Sequence, residues 1–460
     1  MNRKRLFLTV LVSALLLTLA APISAASRGG YPVITQVAGA WPTFLIESAN
    51  SMRLDAPPGD DAAEIEELQG YLDEVDDAMR AQIRYWNASV PAYRWNKLAS
   101  EEYFDRAVPT AGATYGLALM NVAIYDATVA AFDSKDASMR ERPSEADPML
   151  VPEVPVPNSP SYPSEHAVAA GAASEVLAFL FPDKADYYRD MAAQSNDAML
   201  HSGIYYPSDV EAGFALGQQV AAMAIAWADA HPMDLNTVDE INGGEGKWYG
   251  ANPITPNAAS WPTWVLSSPD EIMPPPPPEY GSEQLETEVQ ELRDIERTLR
   301  TTVFARYWEY GSGAFQGTLV FTEKTSALIW EYGLDADPVR GALVYTLLNI
   351  ATYDATAAAF AVKYHYLGIR PFQVDPTFET VIPTPNHPSY PSAHSVITMA
   401  AVTTLAKLFP EDADSLIEIS HQGGEARLWA GIHFRSDIVA GEDMGRQIAD
   451  KVFAPFKDIF

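Results

Sequence analysis

Apolar residues recur at helical spacing along most of this chain, and no convincing alternating run of the kind that makes a half-buried strand interrupts them. Residues 64–81 combine acidic side chains with an apolar stripe, which predicts a helix with one solvated face. Residues 283–307 place leucines and other apolar residues at helical spacing. Residues 339–362 are Ala-rich and apolar on all sides, the pattern of a buried helix. Residues 392–409 begin with Ser392 in N-cap position and stop before Pro410. Helices over 412–429 and 436–452 follow. The predicted fold class is all-α, arranged as two tandem related helical bundles.

The pairing of bundles comes from an internal repeat. Asn121-Val-Ala-Ile-Tyr125-Asp126-Ala-Thr128 echoes Asn349-Ile-Ala-Thr-Tyr353-Asp354-Ala-Thr356, and Ser161-Tyr-Pro-Ser164-Glu-His166 echoes Ser389-Tyr-Pro-Ser392-Ala-His394. Leu180-Phe-Pro182 echoes Leu408-Phe-Pro410, and the offsets 353 − 125, 394 − 166 and 410 − 182 all equal 228. An unbroken register of this length reads as two copies of one unit. The expected division is an N-terminal repeat over 27–231, a connector over 232–280 and a C-terminal repeat over 281–460. The connector is rich in Pro, Gly, Asn and Trp and contains the run Pro274–Pro278, which favours extended polyproline II. Trp248, Trp261 and Trp264 predict that it packs down onto the bundles.

Residues 1–26 read as an export signal: Arg3, Lys4 and Arg5, then an apolar stretch, then small residues around Ala25 and Ala26. Beyond it no stretch looks long and apolar enough to span a membrane, so the expected location is secreted or periplasmic. The 460 residues carry a formal net charge of −31. Such a surface repels phosphate backbones, which excludes nucleic acid as a partner. There are no cysteines, hence no disulfides, thiolate metal sites or Cys nucleophile. The oligomeric state has no signature in the sequence.

Against that acidic background three basic pieces near the C-terminus stand out. They are Lys363-x6-Arg370-Pro371, Pro391-Ser392-Ala393-His394 and Arg427-x5-His433-x3-Asp437. Ser392 opens a helix, and free N–H groups at a helix N-terminus favour an anion. Lys363 and Arg370 supply fixed positive charge. Asp437, four residues after His433, is placed to hold the imidazole and leave Nε2 unprotonated. Arg427 adds a bidentate donor. Each piece alone is ordinary: a capping serine, a core histidine, a surface charge pair. Together, in one order, they equip a pocket to hold a tetrahedral oxyanion against a histidine nitrogen. In the first copy Lys135, Arg142, Ser164, His166 and Asp209 are retained, but Arg427 maps to Met199 and His433 to Tyr205, so its site is degenerate.

This arrangement resembles the type 2 phosphatidic-acid phosphatase and vanadium-dependent haloperoxidase superfamily, whose signature is K-x6-R-P, then P-S-G-H, then S-R-x5-H-x3-D. The duplicated layout resembles the exported bacterial haloperoxidase-like branch. Two positions depart from the signature: Ala393 stands where the family has Gly, and Ala426 where it has Ser. The resemblance implies that Lys363, Arg370, Ser392, the Ala393 backbone and Arg427 hold vanadate or phosphate. It implies that His433 is the vanadium ligand or phosphoryl acceptor, that Asp437 orients it, and that His394 is the acid/base. His387 lies in the neighbourhood that helps form the halide site in the family.

Two chemistries follow from one cradle. The leading expectation is a vanadate-dependent haloperoxidase using hydrogen peroxide and halide, with vanadate acting as a Lewis acid. The alternative is a soluble acid phosphatase, with no cofactor, cleaving a phosphomonoester through a phosphohistidine at His433. A third is a non-catalytic protein that binds an anion or a partner.

Overall fold

A computed structural model of the chain describes residues 38–309 and 317–460. The export segment expected at 1–26 lies outside the described residues. The first copy contains α1 (Asp61–Asp73), α2 (Asp77–Trp86), α3 (Ala92–Asp105), α4 (Thr110–Ser138), the short α5 (Pro143–Ala146), α6 (Glu165–Leu180), α7 (Ala185–His201) and α8 (Pro207–Ala230). The second contains α9 (Glu283–Asp294), α10 (Leu299–Tyr307), α11 (Gly317–Glu331), α12 (Pro338–Tyr366), α13 (Pro371–Val374), α14 (Ala393–Leu408), α15 (Ala413–Ala430) and α16 (Arg435–Phe453). From α4 onward the repeat is kept to the residue: 338 − 110, 371 − 143, 393 − 165, 413 − 185 and 435 − 207 all equal 228. The fold is all-α. Among the described residues the strands are one antiparallel pair in the connector, β1 (Glu240–Asn242) with β2 (Tyr249–Ala251), too short to leave an alternating pattern in the sequence.

The helices α4 and α12 are buried almost from end to end and pack against each other at the centre. The Thr346 hydroxyl donates to the Asn121 carbonyl at 2.9 Å, joining the copies across that contact. The apolar side chains of both copies form one continuous core, so the bundles fold against each other rather than standing apart. This explains one correction. The stretch Thr110–Ala146 is long and apolar enough to cross a membrane by composition, contrary to the sequence expectation, but 94% of its most apolar window is buried inside the protein. A central helix surrounded by other helices is apolar all round for the same reason a membrane span is.

Two predicted helices are each broken in two. Residues 64–81 divide between α1 and α2, where the Asp76 side chain accepts from Met79 N–H at 2.8 Å and starts a new helix. Residues 283–307 divide between α9 and α10, where Thr298 caps the second helix. The face of α1 is also less free than expected, because Glu64 accepts from the Ser208 N–H and hydroxyl, both at 2.9 Å. Glu288 does the same for Ser436 in the second copy.

The connector packs down as its tryptophans predict: Trp248 and Trp261 are buried and Trp264 stacks on Trp227. It also completes the second copy. Trp261-Pro-Thr-Trp264-Val-Leu266 repeats Trp41-Pro-Thr-Phe44-Leu-Ile46. The Asp354 carboxylate accepts from the N–H groups of Trp264, Val265 and Leu266 at 2.9–3.1 Å. Asp126 holds Phe44, Leu45 and Ile46 in the same way. The proline run is pinned through the Tyr366 hydroxyl on the Pro274 carbonyl at 2.7 Å and the Tyr390 hydroxyl on the Pro275 carbonyl at 2.5 Å.

Candidate active site

Lys363 lies in the last turn of α12 and is fully buried. Its ammonium donates to the carbonyls of Pro388, Ser389 and Pro391 at 2.9, 2.8 and 2.5 Å, so it gathers the loop before α14 beneath it. Arg370, in extended chain before Pro371, is equally buried. Its guanidinium donates to the His387 and Ile432 carbonyls at 2.9 and 2.6 Å, tying that loop to the one after α15. Gly431 ends α15 with φ +75°, a conformation glycine adopts without strain. The chain then turns so that His433 points inward.

His433 Nδ1 is 2.8 Å from Asp437 Oδ2. The contact runs from a loop histidine to the first turn of α16, not across a turn of one helix as the four-residue spacing implied. Asp437 also accepts from Phe434 N–H at 3.0 Å and from the Ser389 hydroxyl at 2.5 Å. Burial raises Asp437 above its ordinary value, the Ser389 and Phe434 donors pull against that rise, and the ring is held with Nδ1 as donor. Nε2 keeps its lone pair, and Arg370 Nη1 lies 3.2 Å from it. Ser389 is a positioning residue that the spacing argument did not pick out, although it sits in the repeated Ser-Tyr-Pro-Ser element.

Ser392 caps α14 as expected, accepting from Ser395 N–H at 3.3 Å. Its own N–H donates to the Asp437 carbonyl at 2.9 Å. A Cβ at Gly441 would come within 2.8 Å of the Ser392 carbonyl oxygen, so α16 lies close against the start of α14. Ala393 is the first residue of α14 and is not among the residues with positive φ, so alanine meets no backbone penalty there. Arg427, buried on α15, donates to the Ala305 carbonyl at 2.9 Å. His394 Nε2 lies 2.9 Å from the Trp308 carbonyl. The C-terminal end of α10, through Ala305 and Trp308, thus covers the site. His387 is buried with Nδ1 3.0 Å from Arg370 Nη2 and its ring edge-on to Phe360.

The electrostatics follow from this burial. Lys363, Arg370 and Arg427 bring three positive charges, and Asp437 returns one. Burial, with the nearby charge of Arg370, pulls Lys363 well below its ordinary value. Burial lowers Arg370 to about 10. Burial and the surrounding cations push His433, His394 and His387 well below 6.5, so all three are neutral. An excess of buried positive charge with aligned donors is stabilised by an anion. Among the described residues no group of three or more His, Cys, Asp or Glu is placed to hold a bare metal cation. The donor set fits vanadate or phosphate held as an oxyanion.

Residues 341–450, which carry every one of these side chains except the α10 cover, match the family model of the PAP2 superfamily. The chain carries a PAP2 superfamily domain. The chain is 28% identical over 172 residues to a non-specific acid phosphatase of Providencia stuartii, covering 36% of this chain and 66% of that protein. It is 30% identical over 109 residues to a non-specific acid phosphatase of Salmonella typhi, covering 22% of this chain and 42% of that one. The chain therefore spans from under half to about two thirds of the length of these relatives. Its fold is similar to that of a bacterial vanadium-dependent iodoperoxidase, with TM-score 0.63 and 21% identity, covering 80% of this chain and 97% of that chain. It is also similar to a bacterial vanadium-dependent chloroperoxidase, with TM-score 0.57 and 14% identity, covering 76% of this chain and 92% of that one.

Proposed function

We propose that this chain is an exported vanadate-dependent haloperoxidase-like enzyme that oxidises halide with hydrogen peroxide. The observation that carries this reading is His433 Nε2, left unprotonated because Nδ1 carries the proton toward Asp437, and buried within reach of a cationic set. When bound, vanadate would supply a Lewis acid that polarises peroxide for attack by halide. Lys363, Arg370 and Arg427 would neutralise its oxygens, with the Ser392 hydroxyl and Ala393 N–H as further donors. His433 would hold it through Nε2. His394 is neutral, with Nε2 2.9 Å from the Trp308 carbonyl, and a neutral imidazole is suited to take a proton from peroxide. His387 is the halide-side candidate. Similarity of fold along 97% of the iodoperoxidase chain, both copies included, supports this branch.

The second reading is an acid phosphatase, favoured by the sequence likeness to the Providencia and Salmonella proteins. There the same Nε2 lone pair attacks phosphorus, the P–O bond to the alcohol breaks, and His394, protonated once a dianion is bound, gives the leaving oxygen its proton. One purified sample decides. It is loaded with vanadate and given peroxide, bromide or iodide and a halogen-acceptor dye; a vanadate-free portion is given an aryl phosphate. Dye halogenation supports the first reading, and phosphate release alone overturns it. Silence in both assays leaves the reading of a non-catalytic binding protein.

A further inference from the structure

The first copy keeps much of the cationic scaffold, although it has no counterpart of Arg427 or of the Lys363 bond to Pro391. Lys135 donates to the Pro160 and Ser161 carbonyls, as Lys363 does to Pro388 and Ser389. Arg142 donates to the Ser159 and Ile204 carbonyls, as Arg370 does to His387 and Ile432. Ser164 and Ser392 cap their helices with backbone angles of −67°, 117° and −67°, 113°. One position differs in a way that matters. Where the second copy has Ala393, the first has Glu165, and 393 − 165 is again 228. The Glu165 carboxylate, about 1% exposed, lies 2.8 Å from Lys135 Nζ and 3.4 Å from Arg142 Nη2. Next to it, His166 Nδ1 meets the Tyr205 hydroxyl at 3.0 Å, while its buried Nε2 makes no hydrogen bond.

We propose that Glu165 is a built-in anion: its carboxylate occupies the oxyanion hole of the first copy, and a chain without that carboxylate binds a phosphate-class oxyanion between Lys135, Arg142 and His166. The charge balance of the two copies agrees. Although burial works against it, Glu165 is held down at about 2 by Lys135 and Arg142. Lys135 is lowered by burial to about 8, with Glu165 opposing the fall, whereas Lys363, with no such carboxylate at position 393, is lowered well below its ordinary value by burial and the charge of Arg370. The wild-type chain would therefore carry one oxyanion hole that takes an anion from solution and one filled from within.

The test compares wild type, Glu165→Ala and Glu165→Gln as full-length chains, by equilibrium dialysis with inorganic phosphate and by thermal melting. Glu165→Ala is expected to bind one more phosphate per chain than wild type. Its melting temperature should fall in phosphate-free buffer and recover as phosphate is added. Glu165→Gln, whose amide still fills the hole, is expected to gain no phosphate and to melt lower at every phosphate concentration. A Glu165→Ala chain that binds no more phosphate than wild type, or that phosphate does not stabilise, overturns the proposal. So does a Glu165→Gln chain that gains the extra phosphate. The outcome is independent of the enzymatic reading, because the readout is the difference between variant and wild type; a wild type that binds none, beside a Glu165→Ala chain that binds one, would count against the second-copy site alone.

Discussion

A histidine placed among buried cations is a poor place for a proton and a good place for a lone pair. That is the state of His433, with Asp437 on one ring nitrogen and Arg370 facing the other. His433→Ala should lower whichever activity is present on the order of 10³-fold or more, the scale on which loss of a nucleophile or its base is felt. Tyr205→Phe, at the corresponding place in the first copy, should leave it unchanged. The depressed histidines also set a pH response. Below 6.5 the unfolded chain takes up protons that the folded His433, His394 and His387 refuse, so stability is full above that pH and is lost as pH falls beneath it. Urea titrations at several pH values would check this; a ligand-free chain equally stable at pH 5 and pH 7.5 would contradict it. At this scale the sequence was informative about which side chains come together: Lys363, Arg370, Arg427 and His433 are buried at one place. Ser389 and Glu165 stayed hidden because a serine and a glutamate acquire meaning only from what they touch.

Helices were legible from periodicity, and their ends less so. The breaks at Asp76 and Thr298 come from side chains capping a new helix inside a run whose apolar spacing continues. The strap from the connector was missed altogether, because its resemblance to residues 41–46 lies eight residues out of the main register: 261 − 41 is 220. Asp354 binds that strap to the central helix through three N–H groups. Asp354→Ala would leave those donors buried without a partner, at a cost of about 1–3 kcal/mol for each one that finds no water. A shift in urea midpoint of that order is expected, and a midpoint unchanged from wild type would remove the strap's structural role.

At the scale of the molecule, an acidic chain keeps a cationic pocket by enclosing it. The net charge of −31 covers the surface, while Lys363, Arg370 and Arg427 are sealed between α12, α14, α15 and the end of α10. Duplication supplies two such enclosures around one shared core. The copies differ at Met199 and Tyr205, and in the first the Glu165 carboxylate pairs with Lys135 and Arg142. We propose that a single oxyanion is held at the second copy. A crystal of the wild-type chain soaked in orthovanadate, with anomalous scattering recorded at the vanadium edge, tests it most directly. One peak per chain beside His433 Nε2, with none between Lys135 and Arg142, is the predicted result. A peak at the first copy, or none beside His433, would contradict it.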